Sequence, residues 1–209
     1  DGISARYGTS NRHSECADCH NVHQLSIDAY TPSPPLGSTV LRGVARVSVT
    51  NNSSTSVAYT YRAATDQTPV KEYEVCFTCH SGWTTRPAGQ ADYAAKFNSK
   101  IASFHPVEAA GKNANTNPNA FVNGWKPGQM MTCTDCHTSD DTTIRGPHGS
   151  AYQYILKKSA VASSARRSTV MASTELCFDC HRYDTYANSS ATSTVKNYSR
   201  FGSGNGHAY

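Results

Sequence analysis

His13-Ser14-Glu15-Cys16-Ala17-Asp18-Cys19-His20-Asn21-Val22-His23 carries the pattern on which the reading of the whole chain turns. Two cysteines stand three positions apart, and a histidine follows the second at once. The pattern recurs as Cys76-Phe77-Thr78-Cys79-His80, Cys133-Thr134-Asp135-Cys136-His137 and Cys177-Phe178-Asp179-Cys180-His181. The four copies use all eight cysteines of the 209-residue chain. Cys-x-x-Cys-His is the attachment signature of haem c. On one helical turn, thiols at that spacing match the two vinyl groups of haem and add across them as thioethers. The histidine then lies under the macrocycle as the proximal iron ligand. A zinc half-site or a redox dithiol would account for one Cys-x-x-Cys pair, and four disulfides would account for eight cysteines. None of these calls for a histidine after every pair.

Nine histidines are present, and His20, His80, His137 and His181 are the expected proximal ligands. Four irons then need a distal ligand, and five histidines remain: His13, His23, His105, His148 and His207. One of them follows each motif (His23, His105, His148, His207), while His13 precedes the first. Either His13 or His207 is the surplus one. His23 lies three residues after His20. On a helical turn the two rings project from similar faces, so His23 is expected to serve a different haem, in this chain or in a neighbour. Met130, Met131 and Met171 are rival axial ligands that would raise the potential. The histidine supply leaves them as packing residues.

The chain is poor in core-forming side chains, with 37% hydrophobic residues and a mean hydropathy of −0.56. Twelve Tyr and six Phe with only 16% charged residues are unlike a disordered chain. Four haem c groups would supply the missing apolar bulk. The expected fold is a single tetrahaem domain over residues 1–209: a mostly irregular multihaem cytochrome c with short helices and one β-hairpin, the haems forming the core. Val44 to Thr50 and Val57 to Tyr61 alternate around Asn51–Ser54 as a hairpin. Tyr93, Phe97, Ile101 and Phe104 predict an amphipathic helix over 90–103. Residues 31–38 and 111–128 read as loops, and helical turns are expected at 152–158 and 172–181. Asn51, Asn52, Asn188 and Asn197 begin glycosylation sequons, which a host that glycosylates surface proteins would modify; the unmodified reading stands at least equally.

No Lys/Arg block forms the dense patch that a nucleic-acid partner would need, and no stretch approaches the ~20 apolar residues of a membrane span. With Asp1 first and no basic, then apolar, leader behind it, the expectation is a mature secreted chain whose signal peptide has been removed. The formal charge is +4. Each ferric bis-His haem contributes about −1 with its propionates counted, so the oxidised holoprotein is expected to be roughly neutral, with some Lys and Arg paired to propionates.

The stretch from His13 to His23 resembles the N-terminal segment of the polymerising outer-surface cytochromes of metal-respiring bacteria, the OmcS and OmcE type. Four motifs in 209 residues are similar to the tetrahaem, OmcE-like group. That resemblance implies a continuous chain of bis-His haems, with His23 ligating a haem of the adjacent subunit. It also implies self-association into a helical filament, a homopolymeric nanowire at the cell surface. The partners would be redox proteins or extracellular electron acceptors, and no catalytic residue is expected. The alternatives are a soluble periplasmic tetrahaem shuttle and, further off, a multihaem reductase.

Overall fold

A computed structural model of the chain describes residues 14–27, 31, 33–84, 89–113, 115–160 and 172–187. The chain divides into two compact units, Asp1–Gly111 with Met130–Cys133, and Lys112–Gln129 with Thr134–Tyr209.

The first unit is built on an antiparallel hairpin, β1 (Arg46–Ser53) and β2 (Ser56–Arg62), with Arg46 opposite Arg62 and Val49 opposite Tyr59. The strand runs further than the alternation predicts, through Asn51 and Asn52, and reverses after Ser53. Asn51 is no turn residue, because it pairs with Val57 and its amide donates to Glu108 Oε2 at 2.6 Å and to Ser99 Oγ at 3.2 Å. The register slips between Asn51 and Ser53, where an extra residue is absorbed as a bulge. A one-turn helix, α1 (Cys16–Cys19), precedes the hairpin, and α2 (Glu72–Phe77) packs against β1. Val44, Val47, Tyr73, Val75, Phe77, Ala94 and Val107 are buried in this unit.

Arg46 fastens the hairpin to α2. It is fully buried, and its Nε donates to Glu74 Oε2 at 3.1 Å. Nη2 donates to Asp66 Oδ1 at 3.3 Å, to the Thr68 carbonyl at 3.0 Å and to Thr68 Oγ1 at 2.6 Å. A buried guanidinium is tolerated only with such partners.

The helix expected over 90–103 is one turn long, α3 (Tyr93–Lys96), capped by Asp92 Oδ1 accepting from the Ala95 N–H at 3.1 Å. Asn98 stops it. Its side chain accepts from the Lys100 N–H at 2.8 Å and donates to the Ser53 carbonyl at 2.8 Å. An asparagine that bonds nearby backbone offers the chain an alternative to the helix. The apolar spacing of Phe97, Ile101 and Phe104 is real, but this local competition overrides it.

Among its described residues, the second unit has short 3-10 turns at Pro118–Ala120, Gln153–Ile155 and Leu176–Asp179, and one α-helix, α4 (Tyr183–Tyr186). Ala120, Phe178 and Tyr186 form its apolar cluster, with Phe121, Cys177, Tyr183 and Ala187 against it. The turn at 153–155 does not continue as a helix, because Tyr154 and Ile155 are left-handed, at φ 61° and 53°. No helix among the described residues is long and apolar enough to cross a membrane.

Candidate haem-binding sites

Each motif sits on a tight turn. The first occupies α1, the second runs off the end of α2, and the third and fourth lie on 3-10 turns at Cys133–Asp135 and Leu176–Asp179. In the first, second and fourth, the histidine N–H closes the turn onto the carbonyl of the leading cysteine. The bonds are His20 to Cys16 at 2.8 Å, His80 to Cys76 at 2.9 Å and His181 to Cys177 at 3.0 Å. That closure puts both sulfurs and the imidazole on one turn, the arrangement that haem c attachment requires.

The imidazoles are also oriented. His20 Nδ1 lies 3.0 Å from the Val40 carbonyl, His137 Nδ1 lies 2.8 Å from the Tyr154 carbonyl, and His148 Nδ1 lies 2.6 Å from the Arg145 carbonyl. A carbonyl can only accept, so Nδ1 donates the proton and Nε2 keeps its lone pair. This is how protein fixes the tautomer of a metal-binding histidine. The residues present therefore fit haem c, with Nε2 as the iron-facing atom. His80 is flanked by Tyr93 at 6.2 Å edge-on, and His181 by Phe121 at 5.3 Å and Tyr186 at 5.2 Å.

Within the first unit the thiols of separate motifs converge. Cys19 lies in the electrostatic neighbourhood of Cys76 and Cys79, and Cys76 in that of Cys133. Within the second unit Cys136 lies near Cys177 and Cys180. Burial pushes the thiols of Cys19, Cys79, Cys136 and Cys180 up to about 11. The neighbouring Cys133 thiol, with burial behind it, raises Cys76 well above the ordinary range. A redox dithiol works through a lowered thiol pKa, so the shift runs the opposite way. Cys16 is exposed at the start of α1.

The remaining candidates differ in setting. His105 keeps an exposed edge, yet loss of solvation holds its imidazole below the ordinary histidine pKa, which favours the neutral, ligating form. His148 sits in a turn that needs glycine. Gly146 has φ +82°, and a Cβ there would come within 3.2 Å of His148 Cε1. His23 is exposed, its backbone N–H held by Asn21 Oδ1 at 3.0 Å. Around it Val22 is 77% and Ile27 88% exposed. Met131 is buried, as a packing residue should be. His13, His207 and Met171 lie outside the described residues, as do the sequons at Asn188 and Asn197.

Motif reading missed the groups behind the ligands. The carbonyls of Val40, Tyr154 and Arg145 have no residue-type signal. Lys157 and Lys158 both pair with Asp179 inside the fourth motif, at 2.9 and 2.5 Å, and nothing in the motif pattern singles them out. A family model described as outer membrane cytochrome MtrC/MtrF-like, domains II/IV, matches residues 46–207. No curated protein matches the chain, and no solved structure does.

Proposed function

The chain belongs to the outer membrane cytochrome MtrC/MtrF-like family, and from that premise we propose a filament-forming electron carrier with four covalent haems, each iron held between two histidines. The family is one of multihaem cytochromes of extracellular electron transfer at the cell surface. Haem c, when bound, supplies a one-electron ferric/ferrous couple. The chain's own residues do the rest. Cysteine pairs on closed turns tether each group, and the carbonyls of Val40 and Tyr154 hold Nε2 of His20 and His137 toward it. His148, held the same way from Arg145, is suited to be a distal ligand, and so is the neutral His105.

One observation carries the polymer: His23 stands exposed between two exposed apolar side chains, Val22 and Ile27. Three residues from His20, it is badly placed to reach the opposite face of the first haem. An exposed imidazole on a segment that also exposes two apolar side chains suits insertion into a neighbouring copy. A joint in which one surface meets a different surface of the next copy propagates whenever its rotation fails to close. The substitution His23→Ala is expected to leave four haems attached, to leave one iron per subunit short of a ligand, and to weaken or abolish filaments seen by electron microscopy. Normal filaments with wholly six-coordinate iron in the variant would remove His23 from the joint and make His13 the next candidate.

A further inference from the structure

Behind the second motif lies a group that haem attachment does not use. Glu108 is half-buried, and its Oε2 accepts from Asn51 Nδ2 at 2.6 Å. Its Oε1 is buried with no hydrogen-bond partner, and so is Asn51 Oδ1. Every element packed around it contributes a polar or charged group. β1 gives Asn51, β2 gives Tyr59, the cap of α3 gives Asp92, and the start of α2 gives Lys71 and Tyr73. Tyr59 donates its hydroxyl to Asp92 Oδ2 at 2.5 Å, and the Ala95 N–H donates to Asp92 Oδ1. Asp92 thus has two donors and Glu108 one. Lys71 is the cation facing Glu108, and it is shared with Glu74 at 3.9 Å.

The cluster lies close to two histidines of the electron path. A Cβ on Gly82 would meet Asp92 Oδ2 and the Tyr59 hydroxyl, each at 2.8 Å, so the loop leaving His80 rests directly on the Tyr59–Asp92 pair of that cluster. The same loop is pinned by the Tyr93 N–H, which donates to the His80 carbonyl at 3.1 Å. Glu108 follows His105 by three residues, which limits the separation of their Cα atoms to about 11 Å.

We propose that Glu108 is a proton-uptake site coupled to electron arrival at the haem of the second motif. One electron, from a neighbouring haem or an external reductant, converts ferric to ferrous iron. One proton from solvent forms an O–H bond on the Glu108 carboxylate. Both leave when the electron moves on, so no net charge builds up behind the second motif. Burial pushes Glu108 up to about 7, with Asp92 adding to the rise and the Asn51 bond and Lys71 opposing it. A unit charge placed about 10 Å from a carboxyl group would raise it by about one pH unit at an effective dielectric near 20. This inference rests on the haem of the second motif and is independent of the filament.

The test is a redox titration of the holoprotein from about pH 5.5 to 9, with reduced-minus-oxidised infrared spectra at pH 7. In the wild type, the reduction equilibrium of one haem should fall about tenfold across that window, and reduction should add a protonated-carboxyl C=O band. Glu108→Gln should flatten that haem's pH dependence and remove the band. Asn51→Leu deletes the bond that holds Glu108 down, so it should move the window to higher pH even where Glu108→Gln fails to mature. Wild-type potentials independent of pH, a band that survives Glu108→Gln, or an unmoved window in Asn51→Leu would each overturn the assignment. Intact mass separates the two readings, since fewer than four haems on the wild type defeats the tetrahaem proposal instead.

Discussion

Replacing Arg46 by Met tests whether a buried ion network holds the second motif in place. Arg46 is 0% exposed and Glu74 only 7%. Methionine keeps the length and most of the volume of the arginine stem, so packing changes little. The substitution strands Glu74, whose nearest remaining cation is Lys71, 3.9 Å away on an exposed stem. Breaking a buried pair by removing one partner costs about 3–5 kcal/mol. Asp66 is not stranded, because it keeps Arg62 at 3.3 Å and the Thr68 N–H at 2.8 Å. The loss therefore belongs to Glu74 almost alone. The double variant Arg46→Met/Glu74→Met should then recover most of it, because apolar pairs of similar volume replace buried ion pairs at little cost. Guanidinium denaturation followed by far-ultraviolet circular dichroism reads this directly. With an m value near 4 kcal/mol/M, the single variant's midpoint should drop by about 1 M, and the double variant should return toward the wild type. A single-variant loss below about 1 kcal/mol would refute the reasoning, and so would a double variant as weak as the single.

Intact-mass measurement of the mature protein should exceed the polypeptide by four haems, and Cys177→Ser/Cys180→Ser should exceed it by three. His148→Ala should leave all haems attached but open one iron, read as a high-spin fraction that binds carbon monoxide when ferrous. Stability should also fall with rising pH because of Glu108. Its folded pKa of about 7 lies above the ordinary 4.5, so its contribution is complete below about pH 4.5 and is lost as pH rises through 7. Discounted for partial solvent access, the loss is about 1–2 kcal/mol. Glu108→Gln should remove that slope from denaturation midpoints measured at pH 5 and pH 8.

The tight turns under the four motifs could be read from sequence, because two thiols and an imidazole at set spacing serve haem attachment only on one turn. The hairpin was legible from the alternation of Val47, Val49, Val57 and Tyr59, though its reversal fell after Ser53 because Glu108 and Ser99, remote in sequence, engage the Asn51 amide. The 90–103 helix was misread for the same kind of reason. Period and propensity favoured it, and one asparagine side chain with a partner across the fold at Ser53 ended it. Asn51, which begins a sequon, has its amide engaged, while Asn52 beside it is exposed. The carbonyls that orient His20, His137 and His148 could not be anticipated, since every residue has one and only the folded path brings the right one near. Glu108 was passed over because a lone glutamate in a loop is ordinarily solvated, and its surroundings come from four separate segments.

The two units answer the apolar deficit differently. The first has a hairpin-on-helix core of Val44, Val47, Tyr73, Val75 and Phe77, and a salt-bridged arginine beneath it, so much of its order comes from protein alone. In the second, the fully buried apolar set among the described residues is Ala120, Phe178 and Tyr186, a cluster built directly around His181 through Phe121 and Tyr186. Away from that cluster, the turn that holds His137 carries Tyr154 with its side chain 78% exposed, on a left-handed backbone. A non-glycine residue in that conformation costs about 1–3 kcal/mol and persists only where its surroundings over-determine it. Here they do, because the Tyr154 carbonyl takes the His137 Nδ1 proton and the Lys157 N–H closes onto the Cys136 carbonyl at 3.0 Å. The strain therefore goes into orienting the His137 imidazole, not into packing protein on protein. On the proposed tetrahaem reading, that division would explain how a chain with 37% hydrophobic residues specifies a structure: its polar backbone bonds orient the histidines, and covalent haem would supply the apolar mass.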